Sequence, residues 1–473
     1  MMHSDKRLRH AVAALGAGVL AAASTWANNA APATATATAA SGQFQAALSE
    51  YRAGHYDAAH AQFLSLAELG DCAAQFNLGA MALHGQGGPK DAGSGAGWLE
   101  AAAGNGCSQL VGDRLAAITK SLSAEELHTA ATIMASYGPE ALRAQGIVQP
   151  QFTCPNERPA TVLLAPAPQR PASSREEPAL VITALTIGTD GRARDPEVLL
   201  AVPAAAFAAA AVEAWFNSQF TPARSAASPL ASRLQAKTLF ASSGDALANS
   251  ESVRRARSAA DAGDPAAGYL VGLAAMVEPS LGISAARAAD LLLGAARDGD
   301  PDAQYWVASQ LRASVGCHPR ADGVVWLRHA ASGGSAAAQL LSARDLLAGS
   351  PTTAQIVEAR SLLGRAAHAD SYYVRKHVAA LFAASPLEAV RDPPAALTLA
   401  QQLAAGEIRT DPQMFETVAA AYAANGDFRA ATAQQQLAVE KAATLGWNTA
   451  VMKERLDAYR HERAWHGELL GAT

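Results

Sequence analysis

The sequence has few aromatic residues, although apolar residues are plentiful. Phe, Trp and Tyr make up 6% of the 473 residues, whereas hydrophobic residues make up 50%. Much of the apolar share is alanine, which is the best helix former and lets helices pack closely. The composition therefore predicts many small helices rather than a sheet protein with a bulky core.

The sequence also lacks any run of Lys and Arg. Its formal net charge is −5 and its pI is about 6.2. Proteins that bind the phosphate backbone need clustered cations. We therefore expect no nucleic-acid partner.

The common catalytic and cofactor motifs are absent. The sequence has no G-x-S-x-G, H-E-x-x-H or P-loop pattern, and the glycine-rich stretch at residues 85–97 lacks the Lys-Ser/Thr pair of a phosphate cradle. His55 and His60 are five residues apart and so fall off one helical face. Cys317-His318 has no second ligand pair. We predict no catalytic, metal-binding or cofactor-binding residues; a hydrolase remains a hypothesis without a motif.

Cysteine is scarce, with four residues in the chain: Cys72, Cys107, Cys154 and Cys317. Their spacings are too wide for a CxxC site. In an exported protein an even number permits disulfides, and four cysteines allow three pairings. Cys72 and Cys107 occupy nearly equivalent places in successive repeats, so we favour a bond between these two.

The first residues have the features of an export signal. Lys6, Arg7 and Arg9 precede an uncharged apolar stretch at residues 11–23, and Thr25-Trp26-Ala27 offers small residues at the cleavage-determining positions. The stretch is shorter than the roughly 20 residues needed to span a bilayer. We predict a signal peptide and a periplasmic or secreted protein; the alternative is an uncleaved inner-membrane anchor.

Two markers repeat with one period in the second half of the chain. The first marker begins at Gly263, Gly299, Gly334 and Ala369, in steps of 36, 35 and 35 residues. The second, a Leu followed three residues later by Ala-Ala, keeps the same phase at residues 292, 327 and 363. Gly ends one helix and Asp, Ser or Pro begins the next. Each repeat therefore predicts two helices. Aspartates that recur with it are predicted to cap helices: Asp261, Asp264, Asp298 and Asp300.

The N-terminal part carries a related unit. Gly70-Asp71 and Gly104-Asn105 begin units 34 residues apart. Between them, Leu78-Gly79, the loop glycines Gly85 and Gly87, and Trp98 followed by Ala101-Ala102 resemble the Sel-one-like repeat. The resemblance implies an α-solenoid of helix-turn-helix repeats that binds proteins. We expect the tryptophans of the repeat helices to be buried between helices; they are Trp98, Trp306 and Trp326.

The C-terminal part resembles one tetratricopeptide hairpin. The matching residues are Phe415, Val418, Ala419, Tyr422, Ala431 and Ala438. Asn425-Gly426-Asp427 is the predicted turn, and Gln435 stands where that motif has a large residue. We predict a final helix at 449–464 whose many charged side chains make it a solvent-exposed cap.

A different pattern lies between the helical blocks. Residues 151–178 are rich in Pro and are predicted to form a linker or extended arm. Next come an apolar strand at 180–187, the turn Asp190-Gly191, a returning strand at 192–200, a helix at 204–216 and a last strand at 230–240. This order, β-β-α-β, together with Trp215 and the run Phe220-Thr221-Pro222-Ala223, resembles the C-terminal domain of TonB-type energy transducers.

The TonB-type resemblance implies that an extended segment of a partner adds to the last strand, as in the recognition of outer-membrane receptors. The residues predicted to form this partner-binding edge are Leu234, Ala236, Thr238 and Phe240. Trp215 and Phe220 are predicted to tie the helix to the sheet.

We therefore predict a mainly α protein, an α-solenoid of Sel-one-like and tetratricopeptide-like repeats interrupted by a small α+β domain. The predicted segments are a signal peptide (1–27), a linker (28–41), N-terminal repeats (42–150), a Pro-rich linker (151–178), the TonB-like domain (179–242), Sel-one-like repeats (243–385) and tetratricopeptide-like repeats with a cap helix (386–473). The predicted function is an exported scaffold that binds peptides or envelope proteins. The alternative is a TonB-type transducer for outer-membrane transport, anchored by its N-terminal segment.

Overall fold

The computed structural model describes residues 42–147, 157–158, 160–165, 168–171, 177–203, 206–225, 228–241, 244–313 and 323–470. Over these residues the chain is mainly helical, which confirms the predicted predominance of helix. None of the described helices is both long and apolar enough to cross a bilayer. The predicted signal peptide, the linker after it, Cys154 and Cys317-His318 lie outside the described residues.

The secondary structure follows the chain in three blocks. The first block is α1 (Gly42–Arg52), α2 (Tyr56–Glu68), α3 (Cys72–His84), α4 (Ala92–Ala102), a π-helical turn (Ala103–Cys107), α5 (Ser108–Val111), α6 (Arg114–Thr119), α7 (Ala124–Tyr137) and α8 (Pro139–Ala144). The second block is β1 (Glu157–Arg158), β2 (Thr161–Leu164), β3 (Ala179–Ile187), β4 (Ala193–Val202), α9 (Ala206–Phe216), β5 (Gln219–Thr221), β6 (Ala223–Ser225), β7 (Ser228–Leu230) and β8 (Ser232–Phe240). The third block is α10 (Gly244–Ala248), α11 (Glu251–Asp261), α12 (Pro265–Val277), α13 (Ala285–Arg297), α14 (Pro301–Ala313), α15 (Val324–Gly333), α16 (Ala336–Leu346), α17 (Thr353–Ala366), α18 (Tyr372–Ala384), α19 (Pro393–Ala405), α20 (Pro412–Ala424), α21 (Phe428–Thr444) and α22 (Ala450–Arg460).

The chain divides into two compact units. The first comprises the described residues up to 147 together with 262–266 and 293–329. The second comprises the described residues from 157 to 261 together with 267–292 and 330–470. The predicted repeat block 243–385 is thus shared between the two units, and the α+β segment lies in the same unit as the C-terminal helices.

A buried glutamine recurs just after the turn at which one repeat ends and the next begins. Gln75, Gln304 and Gln339 each donate a hydrogen bond from Nε2 to the carbonyl oxygen eight residues earlier, at 3.1, 2.9 and 3.2 Å. Those carbonyls belong to the last turn of the preceding helix, where helical partners are missing. The same bond at the same spacing shows that the N-terminal and later repeats share one turn geometry.

The first unit brings sequence-distant helices together. The indole Nε1 of Trp326 donates to the carbonyl oxygen of Gly146 at 3.1 Å, and the Trp326 side chain is fully buried. Glu68 accepts hydrogen bonds from Arg328 at 2.8 Å and from His329 at 3.0 Å. These contacts join the start of α15 to the N-terminal helices of the first unit.

In the second unit, β3 is the central strand of a three-stranded antiparallel sheet of order β4-β3-β8. On one face, Val181 packs with Phe207 and Ala211 of α9. On the other face, Leu180 and apolar side chains of α10 and α12, including Leu247 and Val271, line a common cavity. Both faces of β3 are therefore covered, which explains its nearly continuous apolar sequence.

Helix α9 also packs against the C-terminal helices. Val212 and Phe216 share a core cluster with Trp447, Met452 and Leu456. Near the turn of the β3–β4 hairpin, the Arg194 guanidinium lies over the Trp447 ring, with its Cζ atom 4.5 Å from the ring centroid. The predicted order strand-strand-helix-strand is present, but the segment shares its core with repeat helices instead of standing alone.

Several boundaries differ from the sequence predictions. The returning strand is Ala193–Val202, and part of the predicted linker forms strands: β2 pairs with β5, and β1 pairs with β6. These residues join the sheet region because β5 and β6 each leave an edge for an extended segment to bond.

The final helix is Ala450–Arg460 and is not a uniformly solvent-exposed cap. Arg455, predicted to be exposed, is only 6% exposed and pairs with Glu416 at 2.6 Å. Gln435 donates to the same carboxylate and to the carbonyl oxygen of Met452. The polar side chain of Gln435 thus belongs to a buried hydrogen-bond network that also includes Arg455.

The recurring glutamine gives a first prediction. Replacing Gln339 by Leu leaves the Ala331 carbonyl without its side-chain donor, so we expect Q339L to lower the free energy of unfolding by about 1–3 kcal/mol. Chemical denaturation measures the loss. The matched control is Q402L, at an exposed position of α19, for which we expect a change within about 0.5 kcal/mol. Equal stability of the two variants would contradict the assigned role.

Candidate functional site

The predicted partner-binding strand, β8, lies at an edge of the sheet. It pairs with β3 along its whole length, from Ser232 opposite Ile187 to Phe240 opposite Ala179. No described strand pairs with its other edge. An added strand would form hydrogen bonds with the main-chain N–H and C=O groups of that edge.

The side chains that the sequence predicts for this edge face the core of the unit. Ala236, Thr238 and Phe240 are buried, at 5–6% exposure, and Leu234 is half-buried. Ala236 packs with Trp215 and Phe220, and Phe240 packs with Phe207. Because side chains alternate across a strand, these residues form the core-facing side of β8. The prediction that a partner binds this edge stays a prediction, and such a partner would bond the main chain of β8 because these side chains face the core.

The opposite face of β8 carries Arg233 and Lys237. Lys237 is exposed and forms an ion pair with Glu278 at 2.9 Å. Arg233 lies over the Tyr373 ring at 5.2 Å and bonds Glu197 of β4 at 2.5 Å. Arg233 therefore connects the edge strand to a buried polar cluster.

That cluster centres on Asp195, and we call it the Asp195 cluster. It comprises Asp195, Glu197, Arg233, Tyr372, Lys376, His377, Asp411 and Gln413. It joins β4, β8, α18 and the start of α20. Lys376 is fully buried and His377 is 4% exposed.

Asp195 lies near three basic side chains of the cluster. Its Oδ1 lies 2.7 Å from His377 Nε2 and 3.4 Å from Lys376 Nζ, and its Oδ2 lies 3.8 Å from Arg233. Its backbone has φ 53°, a left-handed conformation that is uncommon for a residue other than glycine. The ion pairs hold this residue in place within β4.

A second carboxylate completes the pairing of the buried lysine. Asp411 Oδ2 accepts from Lys376 Nζ at 2.9 Å and from the Tyr372 hydroxyl at 2.7 Å. Gln413 accepts from Lys376 at 3.2 Å and from the backbone N–H of Asp195 at the same distance. A buried charge needs such partners, because removing one leaves an uncompensated ion.

The pKa shifts follow from burial and these pairs. Burial alone would raise the pKa of the Asp195 carboxyl, but His377, Lys376 and Arg233 outweigh it and hold that pKa well below its usual range. Burial lowers the pKa of His377, although Asp195 opposes the shift. Burial and the charge of Asp411 raise the pKa of Tyr372 well above its usual value. The cluster is thus a set of mutually satisfied charges that fixes the strands beside the edge.

The sequence did not reveal this cluster. No motif in the sequence assigns His377 to a site, yet its side chain is buried. One signal was available: Tyr372-Tyr373 followed by Lys376-His377 breaks the alanine-rich pattern of the repeat helices. The partners Asp195 and Arg233 lie 139 to 182 residues before these four residues in the chain, so only folding brings them together.

The predicted cysteine pair and the aspartates Asp298 and Asp300 lie in the first unit. The Cα atoms of Cys72 and Cys107 are 5.6 Å apart, with the two residues joined as a disulfide, a separation that suits such a bond. This pairing stays a prediction for the protein in solution. Asp300 caps α14 by accepting from the Ala303 N–H at 2.7 Å. At Asp298, burial and the charge of Asp71 raise the pKa to about 6.

The repeat-helix tryptophans are buried, as the packing interpretation predicts. Trp98, Trp306 and Trp326 are 8%, 3% and 0% exposed. Trp98 stacks on Tyr137 with ring centroids 4.7 Å apart. Their rings serve contacts between helices.

The Asp195 cluster predicts a pH dependence. Folding lowers the pKa of His377, so as the pH drops the unfolded chain takes up a proton at this residue before the folded chain does. The free energy of unfolding therefore falls as the pH drops below about 6.5. We expect H377Q to reduce the slope of unfolding free energy between pH 7 and pH 5, as measured by denaturant titration. The control is H461Q, an exposed histidine of the same unit. A wild-type slope in H377Q would show that His377 does not titrate in this way.

Comparisons with known proteins assign neither a family nor a function to this chain. No family model matches the chain, and no curated protein matches it. Among solved structures, the chain is similar to a Sel1 repeat protein from Oxalobacter formigenes, with 16% identity over 77% of this chain and 71% of that one. The TM-score is 0.27, a level at which the likeness supports no assignment of family or function.

Proposed function

We propose that this chain is an exported scaffold that binds peptides or proteins of the cell envelope, and that it has no catalytic activity of its own. The observation that carries the proposal is the edge of β8, which pairs on one side only among the strands that the structure describes. An extended peptide adds to such an edge through main-chain hydrogen bonds.

Neighbouring elements keep the β8 strand ordered in the absence of a partner. The β3 strand anchors it on one side, and Arg233 ties it to the Asp195 cluster. A binding element that is already ordered loses less entropy when its partner docks. The Arg170 guanidinium donates to the carbonyl oxygen of Phe240, so the part of the edge offered to a partner lies towards Ser232.

The repeat helices supply a second kind of surface. Helix pairs that share one turn geometry leave faces that commonly bind peptides or proteins. In this reading the helical faces contribute specificity, and the β8 edge contributes sequence-independent hydrogen bonds.

The β8 edge is tested by hydrogen exchange on the full chain. A partner captured from an envelope fraction is identified, purified and added back. We expect outward-facing amides between Ser232 and Leu239 to exchange at least about tenfold more slowly in the complex, because strand addition supplies them with acceptors. Amides of the exposed segment around Gln402 are the internal control. Protection confined to helices would contradict edge binding while leaving a helical scaffold possible.

Export is tested by the mature N-terminus. We expect intact-protein mass spectrometry of cells producing the full chain to give a protein that begins near Asn28, recovered from the periplasm or medium. The energy-transducer alternative requires a chain that keeps residues 1–27 and fractionates with the inner membrane. That outcome would replace the exported scaffold with the anchored transducer.

A further inference from the structure

The segment that follows α22 lies on the C-terminal helices without regular secondary structure of its own. Residues 464–470 form neither helix nor strand. Trp465 and Gly467 are half-buried and Leu469 is buried, whereas the two residues between them are exposed. This alternation is typical of an extended peptide that rests with one side on a surface.

The main chain of the segment is bonded to two helices. The N–H of Gly467 donates to the carbonyl oxygen of Ala384 at 2.8 Å, and Arg455 Nη2 donates to the carbonyl oxygen of Glu468 at 2.9 Å. Ala384 is the last residue of α18, where carbonyl groups have no partner within the helix. Arg455 is itself held by Glu416 of α20. These bonds use the main chain of the segment, so they are available to a peptide of another sequence.

Trp465 gives the segment its aromatic contact. Its side chain packs with Ala419 and Ala423 of α20 and with Tyr459 of α22. The Arg455 guanidinium lies over its ring, with the Cζ atom 5.4 Å from the ring centroid, which is a cation–π arrangement. We call the residues that meet the segment its binding surface: Ala384, Ala419, Ala423, Arg455 and Tyr459.

Several polar atoms at this contact are buried without a hydrogen-bond partner among the described residues. They are Nε of Arg455, the hydroxyl of Tyr459 and Nε1 of Trp465 itself. A buried polar group without a partner costs free energy. The segment therefore satisfies its binding surface only in part, and a peptide that also bonds these atoms would compete with it.

We propose that residues 464–470 are an internal ligand of this surface, and that a partner peptide with the pattern aromatic-x-Gly-x-Leu displaces them. The pattern follows from Trp465, Gly467 and Leu469, which are the less exposed residues of the segment. The inference rests on the proposed scaffold function and gives its helical surface a peptide chemistry. The segment keeps that surface covered until a partner arrives.

The covalent link makes the segment a strong competitor. A segment tethered beside its own site has an effective concentration in the millimolar range, so a free peptide of the same sequence binds the intact chain weakly. Weakening the tethered copy should expose the surface to the free peptide.

Fluorescence anisotropy with a labelled peptide of residues 463–470 tests the proposal on the full chain. We expect W465A to bind this peptide at least about tenfold more tightly than the wild type does, because the tethered segment then loses its aromatic contact. The matched control is H466A, at an exposed position of the same segment, which should bind as weakly as the wild type. The same peptide with Ala in place of its Trp should not bind W465A. Circular dichroism checks that both variants fold.

Hydrogen exchange of the wild type gives a readout that needs no variant. We expect the Gly467 amide to exchange at least about tenfold faster than the amides of Ala419 and Ala423, because the segment can open while α20 stays folded. Saturation with the peptide should speed the exchange of Gly467 further.

Three results would each overturn the proposal: W465A binding the peptide no better than the wild type, H466A gaining as much affinity as W465A, or Gly467 exchanging only together with α20. The last result would make the segment an inseparable part of the folded core. The amides of residues 232–239 report on the β8 edge separately, so a failure at this surface and a failure of the proposed function are told apart.

Discussion

The second unit depends on one buried strand whose two faces are both covered. Ala179–Ile187 packs against α9 on one side and lies beneath repeat helices on the other. A strand in that position needs apolar side chains in both directions, and its main chain needs a hydrogen-bonding neighbour on each edge. β4 and β8 fill those two places. The sheet, α9 and the C-terminal helices consequently share one core, and β8 becomes the outer strand.

The buried charges near this sheet stabilise its arrangement because they are paired. Lys376 lies between two carboxylates, and Asp195 in turn meets His377 and Arg233. Removing any one ion would leave another without compensation in a medium that solvates it poorly. Such a network favours a single position of α18 relative to β4 and β8, and this is the reason to regard it as a support for the edge and not as a reactive site.

Two exposed strand edges in this unit differ in the chemistry of their side chains. Cations mark β8, whose core-facing residues are buried, whereas β2 is uncharged and exposes its apolar side chains.

The sequence by itself determined the local structure. Repeated Gly, Asp and Pro set the ends of helices, the alanine-rich helices and the apolar run before Asp190-Gly191 set the element types, and the recurrence of Gly299 and Gly334 marked equivalent turns. These features act over a few residues, so pattern and capping suffice to predict them. Only the tertiary structure decided which elements share a core and which charged side chains, such as Arg455 and His377, are buried. It also decided that Thr161–Leu164, inside the predicted linker, forms a strand paired with β5. The physical reason is that burial, ion pairing and strand pairing depend on neighbours that lie tens to hundreds of residues away, and no local pattern specifies those neighbours.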